Sequence, residues 1–336
     1  MNTLYKRLAL AAACLAFVVV VVGGFVRLMD AGLGCPDWPG CYGELSPAHA
    51  EESIAKAVQA QGGEHGPVSM RKAWKEMFHR YIASTLGLLI LGLAVLAWRW
   101  REKLPRSPAL ASTLFVLVVL QGLLGMWTVT LLLKPVIVTL HLLGGMTTLA
   151  LLVWLFLRQL DGRPAVDRTA ARKLRPWALI AIAVVFTQIA LGGWVSSNYA
   201  ALACIDFPTC HGVWRPDMDF RHGFQLVREL GRTAAGEHLA YEALTAIHWT
   251  HRVGALVTLI YVGTLAFALS RARGLGRYAA ALAVVLIAQI ALGVANILAG
   301  LPLPVAVAHN AVAAILLVTL VMINFALSRA DLPPTP

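Results

Sequence analysis

The sequence predicts an all-α integral membrane protein whose eight transmembrane helices form two pseudo-symmetric four-helix bundles. Of its 336 residues, 59% are hydrophobic and only 13% are charged, and the mean hydropathy is +0.71. Soluble domains carry about a quarter charged residues, and no soluble fold of this length hides so much apolar surface. Eight apolar runs and an internal duplication complete the prediction.

Each apolar run is long enough to cross about 30 Å of hydrocarbon, which takes roughly 20 helical residues. The runs lie near residues 8–28, 77–98, 109–132, 136–157, 177–197, 243–270, 278–300 and 305–328. The first run follows Lys6 and Arg7, as in a signal peptide, but it is longer than the apolar region of such a peptide and no small-residue cleavage pattern follows it. We therefore expect a retained helix.

The basic residues predict the orientation of the helices. Sixteen of the 28 Lys and Arg residues, with four acidic residues, lie at the two termini and in the short connections 99–108, 158–176 and 271–277. The rest of the chain, including the long connections 29–76 and 198–242, carries twelve basic and thirteen acidic residues. Because cytoplasmic loops collect Lys and Arg, we expect both termini in the cytoplasm and both long loops outside. The net charge of +11 then reflects topology, and we expect lipid rather than nucleic acid as a partner.

The chain also repeats itself. Gly23-Gly24-Phe25-Val26 and Cys35-Pro-Asp-Trp-Pro-Gly-Cys41-Tyr-Gly43 return, 169 residues later, as Gly192-Gly193-Trp194-Val195 and Cys204-Ile-Asp-Phe-Pro-Thr-Cys210-His-Gly212. Because four spans return the chain to its starting side, the repeat implies two halves of the same orientation. We expect an N-terminal half at 1–157, a cytoplasmic linker at 158–176 and a C-terminal half at 177–336.

Four histidines occupy equivalent depths in the first turns of the even-numbered helices: His79, His141, His251 and His309. Ionisable groups inside spans are costly and mark functional sites. One such histidine is more often a packing residue, but two per half offer two facing imidazoles. Two neutral imidazoles on opposite sides suit a haem iron, whereas zinc needs three or four ligands in one cluster. The sequence predicts one haem site in each half.

Charged residues beside the histidines distinguish the two halves. Arg80 and Arg252 directly follow their histidines at the membrane edge, where they either pair with haem propionates or simply extend to the interface. Glu76 precedes His79 by three residues, but the residue at the equivalent position in the second half is His248, whose role the sequence does not assign. Glu76 is either a general base or cation stabiliser, or the partner of Arg80 in a structural ion pair. One half would hold a permanent haem while the other performs chemistry.

The long loops each contain a C-x5-C pair, Cys35 with Cys41 and Cys204 with Cys210. On the outer, oxidising side such pairs persist as disulfides. We expect structural disulfides. The alternative is a redox-active role, above all for the first pair.

A Gln-x-x-Leu-Gly pattern occurs at Gln121, Gln188 and Gln289. It indicates helix packing with a polar contact between helices.

Taken together, these residues resemble the haem A synthase family. The resemblance covers essentially the whole chain and is carried by Glu76-x-x-His79-Arg80, His141, His251-Arg252 and His309 in two four-helix halves. The loop cysteine pairs are similar to those of the bacterial members that carry them. The resemblance therefore also implies a multi-pass protein of a bacterial inner, or plasma, membrane.

The family resemblance implies an oxidoreductase that oxidises the C8 methyl group of haem O to a formyl group, giving haem A for cytochrome c oxidase. It implies haem b, with its iron, as the cofactor on His251 and His309. Haem O, the substrate, would lie between His79 and His141, with the catalytic Glu76 near the reacting edge. A haem O synthase, which is a farnesyltransferase, is implied as the upstream partner, and the electron acceptor stays unassigned.

Two other functions share parts of this pattern. A bis-histidine di-haem cytochrome that takes electrons from quinol would explain the histidines but not the lone Glu76. A haem transporter would be favoured by the duplication. Transporters, however, often carry helix-breaking Gly or Pro at mid-membrane depth, whereas Pro135 and Pro304 lie at the outer edge.

Overall fold

The computed structural model describes residues 2–104, 107–160 and 166–330, whose regular secondary structure is entirely helical. In chain order the helices are α1 (Asn2–Leu28), α2 (Glu51–Ala60), α3 (Met70–Arg99), α4 (Pro108–Thr130), α5 (Pro135–Arg158), α6 (Arg168–Ser197), α7 (Phe220–Gly223), α8 (Tyr241–Ser270), α9 (Gly276–Leu298) and α10 (Leu303–Ala330). Within these ranges, eight helices, all but α2 and α7, are long and apolar enough to cross a membrane. The predicted fold class is confirmed. Residues 161–165 of the predicted linker and 331–336 of the predicted C-terminal half lie outside the described residues.

Helices α1, α3 and α6 begin well before the predicted spans. For α3 and α6 the reason is a capping residue that lies upstream of the apolar run. At the start of α3, the Ser69 hydroxyl accepts a hydrogen bond from the backbone N–H of Lys72 at 3.2 Å. The carboxylate of Asp167 caps α6 in the same way. Such caps satisfy backbone donors that have no partner within the helix. As a result His79 lies in the third turn of its helix instead of in its first turn, as the predicted span implied.

Each half closes into a ring of four helices. In the N-terminal half α1 packs on α3, α3 on α4, α4 on α5, and α5 back on α1. In the C-terminal half α6, α8, α9 and α10 pack in the same order. The second and fourth helices of each ring, α3 with α5 and α8 with α10, are therefore diagonal. The halves meet where α1 packs on α10, α5 on α6, and α5 on α10.

Three hydrogen bonds join positions 169 residues apart, which is the offset of the repeat. They connect Arg27 to Ser196 at 2.7 Å, Asp30 to Tyr199 at 2.7 Å, and Leu160 to Arg329 at 3.2 Å. Equivalent positions touch only where they lie on the symmetry axis. The pseudo-twofold axis therefore passes between the ends of α1 and α6 at one end of the bundle and between the ends of α5 and α10 at the other. The first of these ends carries both cysteine-containing connections, and we call it the loop end.

Candidate functional site

Each half places one pair of the predicted histidines on its diagonal helices, towards the loop end. His79 lies on α3 and His141 on α5, while His251 lies on α8 and His309 on α10. Within each pair the two rings are close enough to interact electrostatically. All four side chains are only half-buried, although they lie inside apolar helices. The structure thus brings the predicted histidines together two by two.

A glycine on the preceding helix of the ring leaves room for each histidine. A Cβ atom added at the glycine would approach the imidazole Cε1 to 3.0 Å for Gly23 and His79, 3.4 Å for Gly125 and His141, 3.1 Å for Gly192 and His251, and 3.1 Å for Gly293 and His309. At about 3 Å the ring would have to move. These glycines are visible in the sequence only as part of the repeat, since the helices they touch lie far along the chain.

The second glycine of each Gly-Gly pair faces the other half of the molecule. A Cβ atom at Gly24 would meet the side chain of Asn310 at 2.5 Å, and one at Gly193 would meet Leu142 at 2.9 Å. Asn310 and Leu142 directly follow the histidines of α10 and α5. Each Gly-Gly pair therefore lets one helix pack closely against a histidine of its own half and against the histidine-bearing helix of the other half.

We expect Gly293→Ala to weaken haem binding at the C-terminal pair about tenfold, in the range found for residues that support a metal ligand. The added methyl group would displace the His309 ring, while the helix itself would gain about 1 kcal/mol from replacing Gly with Ala. Bound haem per protein, measured by absorption, reports the effect. Gly122→Ala is the matched control, because a Cβ atom there meets open space on the equivalent helix of the other half. Equal loading of the two variants would contradict the prediction.

Two glutamines contact the rings of the C-terminal pair. Gln188 Nε2 lies 3.0 Å from Nδ1 of His251 and donates to the backbone carbonyl of the same residue at 3.0 Å. Gln289 Nε2 lies 3.2 Å from Nε2 of His309. The Gln-x-x-Leu-Gly pattern, which the sequence predicts only as helix packing, therefore brings both its glutamine and its glycine to one histidine in α6 and again in α9.

The cysteine pairs form the predicted disulfides. The S–S distance is 2.07 Å for Cys35–Cys41 and 1.97 Å for Cys204–Cys210. Each loop folds around one aspartate: Asp37 accepts two backbone N–H groups at 2.6 and 2.7 Å, and Asp206 accepts two at 2.8 and 2.9 Å. Hydrogen bonds from the Thr209 hydroxyl and these backbone groups hold the pKa of Asp206 well below its usual range. The two loops therefore share one fold, built around a central aspartate.

Glu76 joins the first disulfide loop to α3. Its Oε2 accepts a hydrogen bond from the backbone N–H of Cys35 at 3.0 Å, and its Oε1 accepts one from Arg80 at 2.5 Å. The residue is only 5% exposed. The structural ion pair considered for Glu76 is present, and it holds the carboxylate one helical turn from His79.

His248 occupies the equivalent place in the second half. Its Nδ1 lies 3.2 Å from the backbone N of Cys204, and its Nε2 lies 3.3 Å from Nε of Arg252. Both neighbours are donors, and a carboxylate could accept from both. A neutral imidazole has a single acceptor nitrogen, so one of the two donors in the second half is left without an acceptor on His248.

We expect His248→Glu to stabilise the protein by about 1 kcal/mol, because leaving a buried donor unsatisfied costs about 1–3 kcal/mol. The carboxylate would accept from both Cys204 and Arg252, as Glu76 does from its neighbours. Thermal unfolding of the detergent-solubilised protein at neutral pH measures the change. His238→Glu adds the same charge at an exposed position of the neighbouring loop and serves as the control. A lower Tm for His248→Glu than for the control would refute this interpretation.

Arg80 and Arg252 lie beneath the two disulfide loops. Arg80 Nη1 donates to loop carbonyls, including that of Asp37 at 2.8 Å. Arg252 donates to the carbonyls of Thr209 at 2.7 Å and Cys204 at 2.8 Å. Both guanidinium groups therefore tie a loop to a histidine-bearing helix. Their pairing with propionates stays a prediction.

The residues present fit an iron porphyrin better than a bare metal ion. Across the described ranges, no three His, Cys, Asp or Glu side chains cluster in a way that could hold a metal ion. Each half instead offers two imidazoles, and in this part of the chain Nδ1 of His79, His141 and His309 is buried without a hydrogen-bond partner. Two imidazoles on opposite sides are a common haem ligand set. Fold and site together define a membrane-spanning protein with two bis-histidine sites, each suited to one haem.

Known proteins resemble this chain over nearly its whole length. The family model described as "COX15-CtaA: Cytochrome oxidase assembly protein" matches residues 6–321. A "Heme A synthase" from Shewanella oneidensis is 42% identical over 309 residues, covering 92% of this chain and 92% of the relative. Proteins of the same name from Rhizorhabdus wittichii and Halalkalibacterium halodurans are 30% and 28% identical, covering 94% and 93% of this chain and 92% and 93% of the relatives. The chain belongs to the COX15-CtaA family of cytochrome oxidase assembly proteins, which confirms the resemblance found in the sequence.

Proposed function

We propose that this protein is a haem A synthase, an enzyme that converts haem O to haem A. In this reaction the C8 methyl group of haem O is oxidised to a formyl group through an alcohol, so the enzyme is an oxidoreductase acting on a methyl group. One structural observation supports the proposal independently of the similarity to known proteins. Two halves with the same helix ring and the same histidine pair carry chemically unlike side chains at the buried position beside the disulfide loop, Glu76 against His248. A protein that only passed electrons between two haems would need no such difference.

The two histidine pairs take different haems in this proposal. In residues 177–336, His251 and His309 would hold haem b through its iron. Residues 1–157 hold the substrate, haem O, between His79 and His141. Haem b, when bound, supplies one-electron redox chemistry. The N-terminal half is assigned to the substrate because the buried carboxylate lies beside its histidines.

Glu76 performs the chemical step in this proposal. Its position three residues before His79 places both side chains on one face of α3. A carboxylate there takes up a proton as the methyl carbon is oxidised, or stabilises positive charge that develops on that carbon. The hydrogen bonds from Cys35 and Arg80 hold it in place. Arg80 and Arg252 bind propionates through the guanidinium N–H groups that the loop carbonyls leave free.

The proposal includes partners and a location. A haem O synthase, which is a farnesyltransferase, supplies the substrate, cytochrome c oxidase receives the product, and a separate acceptor takes the electrons. Lipid surrounds the eight helices. The basic connections put both termini in the cytoplasm, so the loop end with its disulfides faces the outer, oxidising side of a bacterial inner membrane.

Co-expression with a haem O synthase, in a host that makes no haem A, tests the proposed function. We expect haem A among the extracted haems, identified by chromatography and mass spectrometry, only when both proteins are present. A double His79→Ala, His141→Ala variant is the control and is expected to leave haem O unchanged. Unchanged haem O beside a folded, haem-loaded wild-type protein would refute the proposal.

A further inference from the structure

Contacts with glutamine divide the four histidines into two classes. Each ring of the C-terminal pair contacts an amide, that of Gln188 or Gln289. In the N-terminal pair, by contrast, the described ranges contain no side-chain hydrogen bond to either ring. The buried Nδ1 atom does not separate the pairs, because it has no partner in His79, His141 or His309.

The helices that face the histidines also differ in whether a glutamine precedes the histidine-facing glycine at a fixed spacing. In α4, α6 and α9 a glutamine stands four residues before the glycine that faces a histidine ring. In α1 the residue four positions before Gly23 is Val19. The glutamine of α4, Gln121, has its amide against Gly144, one turn beyond His141, just as Gln188 has its amide against Gly254, one turn beyond His251. His79 is therefore the one histidine of the four whose facing helix carries no glutamine in this register.

A hydrogen bond to a metal-binding imidazole fixes the orientation of the ring and strengthens it as a ligand, and losing it typically costs 10- to 100-fold in metal affinity. An amide can present either its NH2 group or its oxygen to a ring nitrogen by turning about its last bond. The Oε1 atoms of Gln188 and Gln289 are buried and have no other partner in the described residues. The Gln289 oxygen can turn to accept the ring N–H that a metal-bound His309 carries. Gln188 can do the same for His251 only by giving up the hydrogen bond that its Nε2 donates to the His251 carbonyl.

We propose that Gln188 and Gln289 are positioning residues that make the C-terminal pair a slowly exchanging haem site, and that the missing partner at His79 lets the N-terminal pair exchange its haem. This inference rests on the proposed function, in which the N-terminal pair takes up a substrate and releases a product in every cycle while the C-terminal haem stays bound. The inference names the residues that make the two pairs exchange haem at different rates.

Haem transfer to excess apomyoglobin measures the exchange rate at each pair separately. In a His79→Ala, His141→Ala background only the C-terminal pair can hold haem, and in a His251→Ala, His309→Ala background only the N-terminal pair can. Both backgrounds are loaded with haem b. We expect slower release from the C-terminal pair than from the N-terminal pair.

In the background that retains the C-terminal pair, Gln188→Val should speed haem release about 10- to 100-fold. Gln188→Glu keeps an acceptor for the ring N–H and should retain slow release while lowering the midpoint potential of the haem. A purely structural role for Gln188 would not move that potential. Thr187→Val, which removes a polar group from the exposed neighbouring position, is the matched control and should leave the rate unchanged.

In the background that retains the N-terminal pair, Val19→Gln supplies the missing amide and should slow release by a similar factor. Val18→Gln is its control, since Val18 is 45% exposed on the outside of the helix. This gain-of-function variant also keeps the proposal testable if Gln188→Val fails to fold.

The outcomes separate the inference from the proposed function. If neither background binds haem, the histidines are not the ligands and the proposed function fails together with the inference. If both bind haem but Gln188→Val releases it no faster than Thr187→Val, the role of the glutamines is overturned and the proposed function stands. Equal rates for Val19→Gln and Val18→Gln would overturn the assignment of exchange to His79.

Discussion

His251→Ala is expected to remove haem b from the purified protein, whereas His79→Ala is expected to leave it bound. His251 lies on one of the two diagonal helices of its half, with His309 on the other, and it contacts Gly192 and Gln188. Removing it leaves the iron one protein ligand. A pyridine haemochrome assay of protein expressed without haem O should find haem b content reduced about tenfold or more.

The control for both variants is His65→Ala, which removes an exposed histidine from the first long loop and should retain full haem content. The opposite pattern, with haem b lost in His79→Ala and kept in His251→Ala, would place the cofactor in the N-terminal half. It would also reverse the assignment of Glu76 to the substrate site.

Glu76→Gln is expected to lower haem A formation about 100-fold or more, because a positioned acid or base contributes about 10²–10⁴ to a rate. Glutamine has nearly the same shape, and its amide oxygen can still accept the N–H of Cys35, so the loop should stay attached. It cannot take up a proton at neutral pH. The ratio of haem A to haem O after co-expression with a haem O synthase measures the effect.

Glu52→Gln is the matched control, since it breaks an exposed ion pair with Lys56 (2.6 Å) in the same connection. Undiminished haem A in Glu76→Gln would refute the catalytic assignment. If haem A falls only together with haem b content, Glu76 acts through the structure of the loop instead. Haem b content must therefore be measured on the same samples.

The fold was predictable from the sequence because its signals are local or periodic. Hydropathy alone places the eight spans, and the repeated motifs show that they form two like halves. The starts of α3 and α6 were not predictable in this way, because Ser69 and Asp167 cap them in polar sequence that hydropathy does not register.

The site was predictable as a set of residues but not as a set of contacts. His79 and His251 stand out because ionisable groups are rare in apolar spans. The packing of Gly192 and Gln188 against His251 depends on which helices become neighbours. The local sequence does not indicate which helices these are. The repeat does align Glu76 with His248, but it does not show that each of them contacts a disulfide loop and the arginine one helical turn further on.

The hydrogen bonds on the pseudo-twofold axis bear on the ancestry of the protein. In a symmetric dimer of one four-helix unit, a residue on the axis meets its own copy, so an aspartate at position 30 would face a second aspartate. In this single chain Asp30 instead accepts a hydrogen bond from Tyr199, a pairing that two identical subunits could not make on their axis. A single polypeptide does not require its halves to be identical, so the position equivalent to Asp30 can be Tyr199. The same freedom lets the two histidine-bearing halves differ beside their disulfide loops, where one carries Glu76 and the other His248.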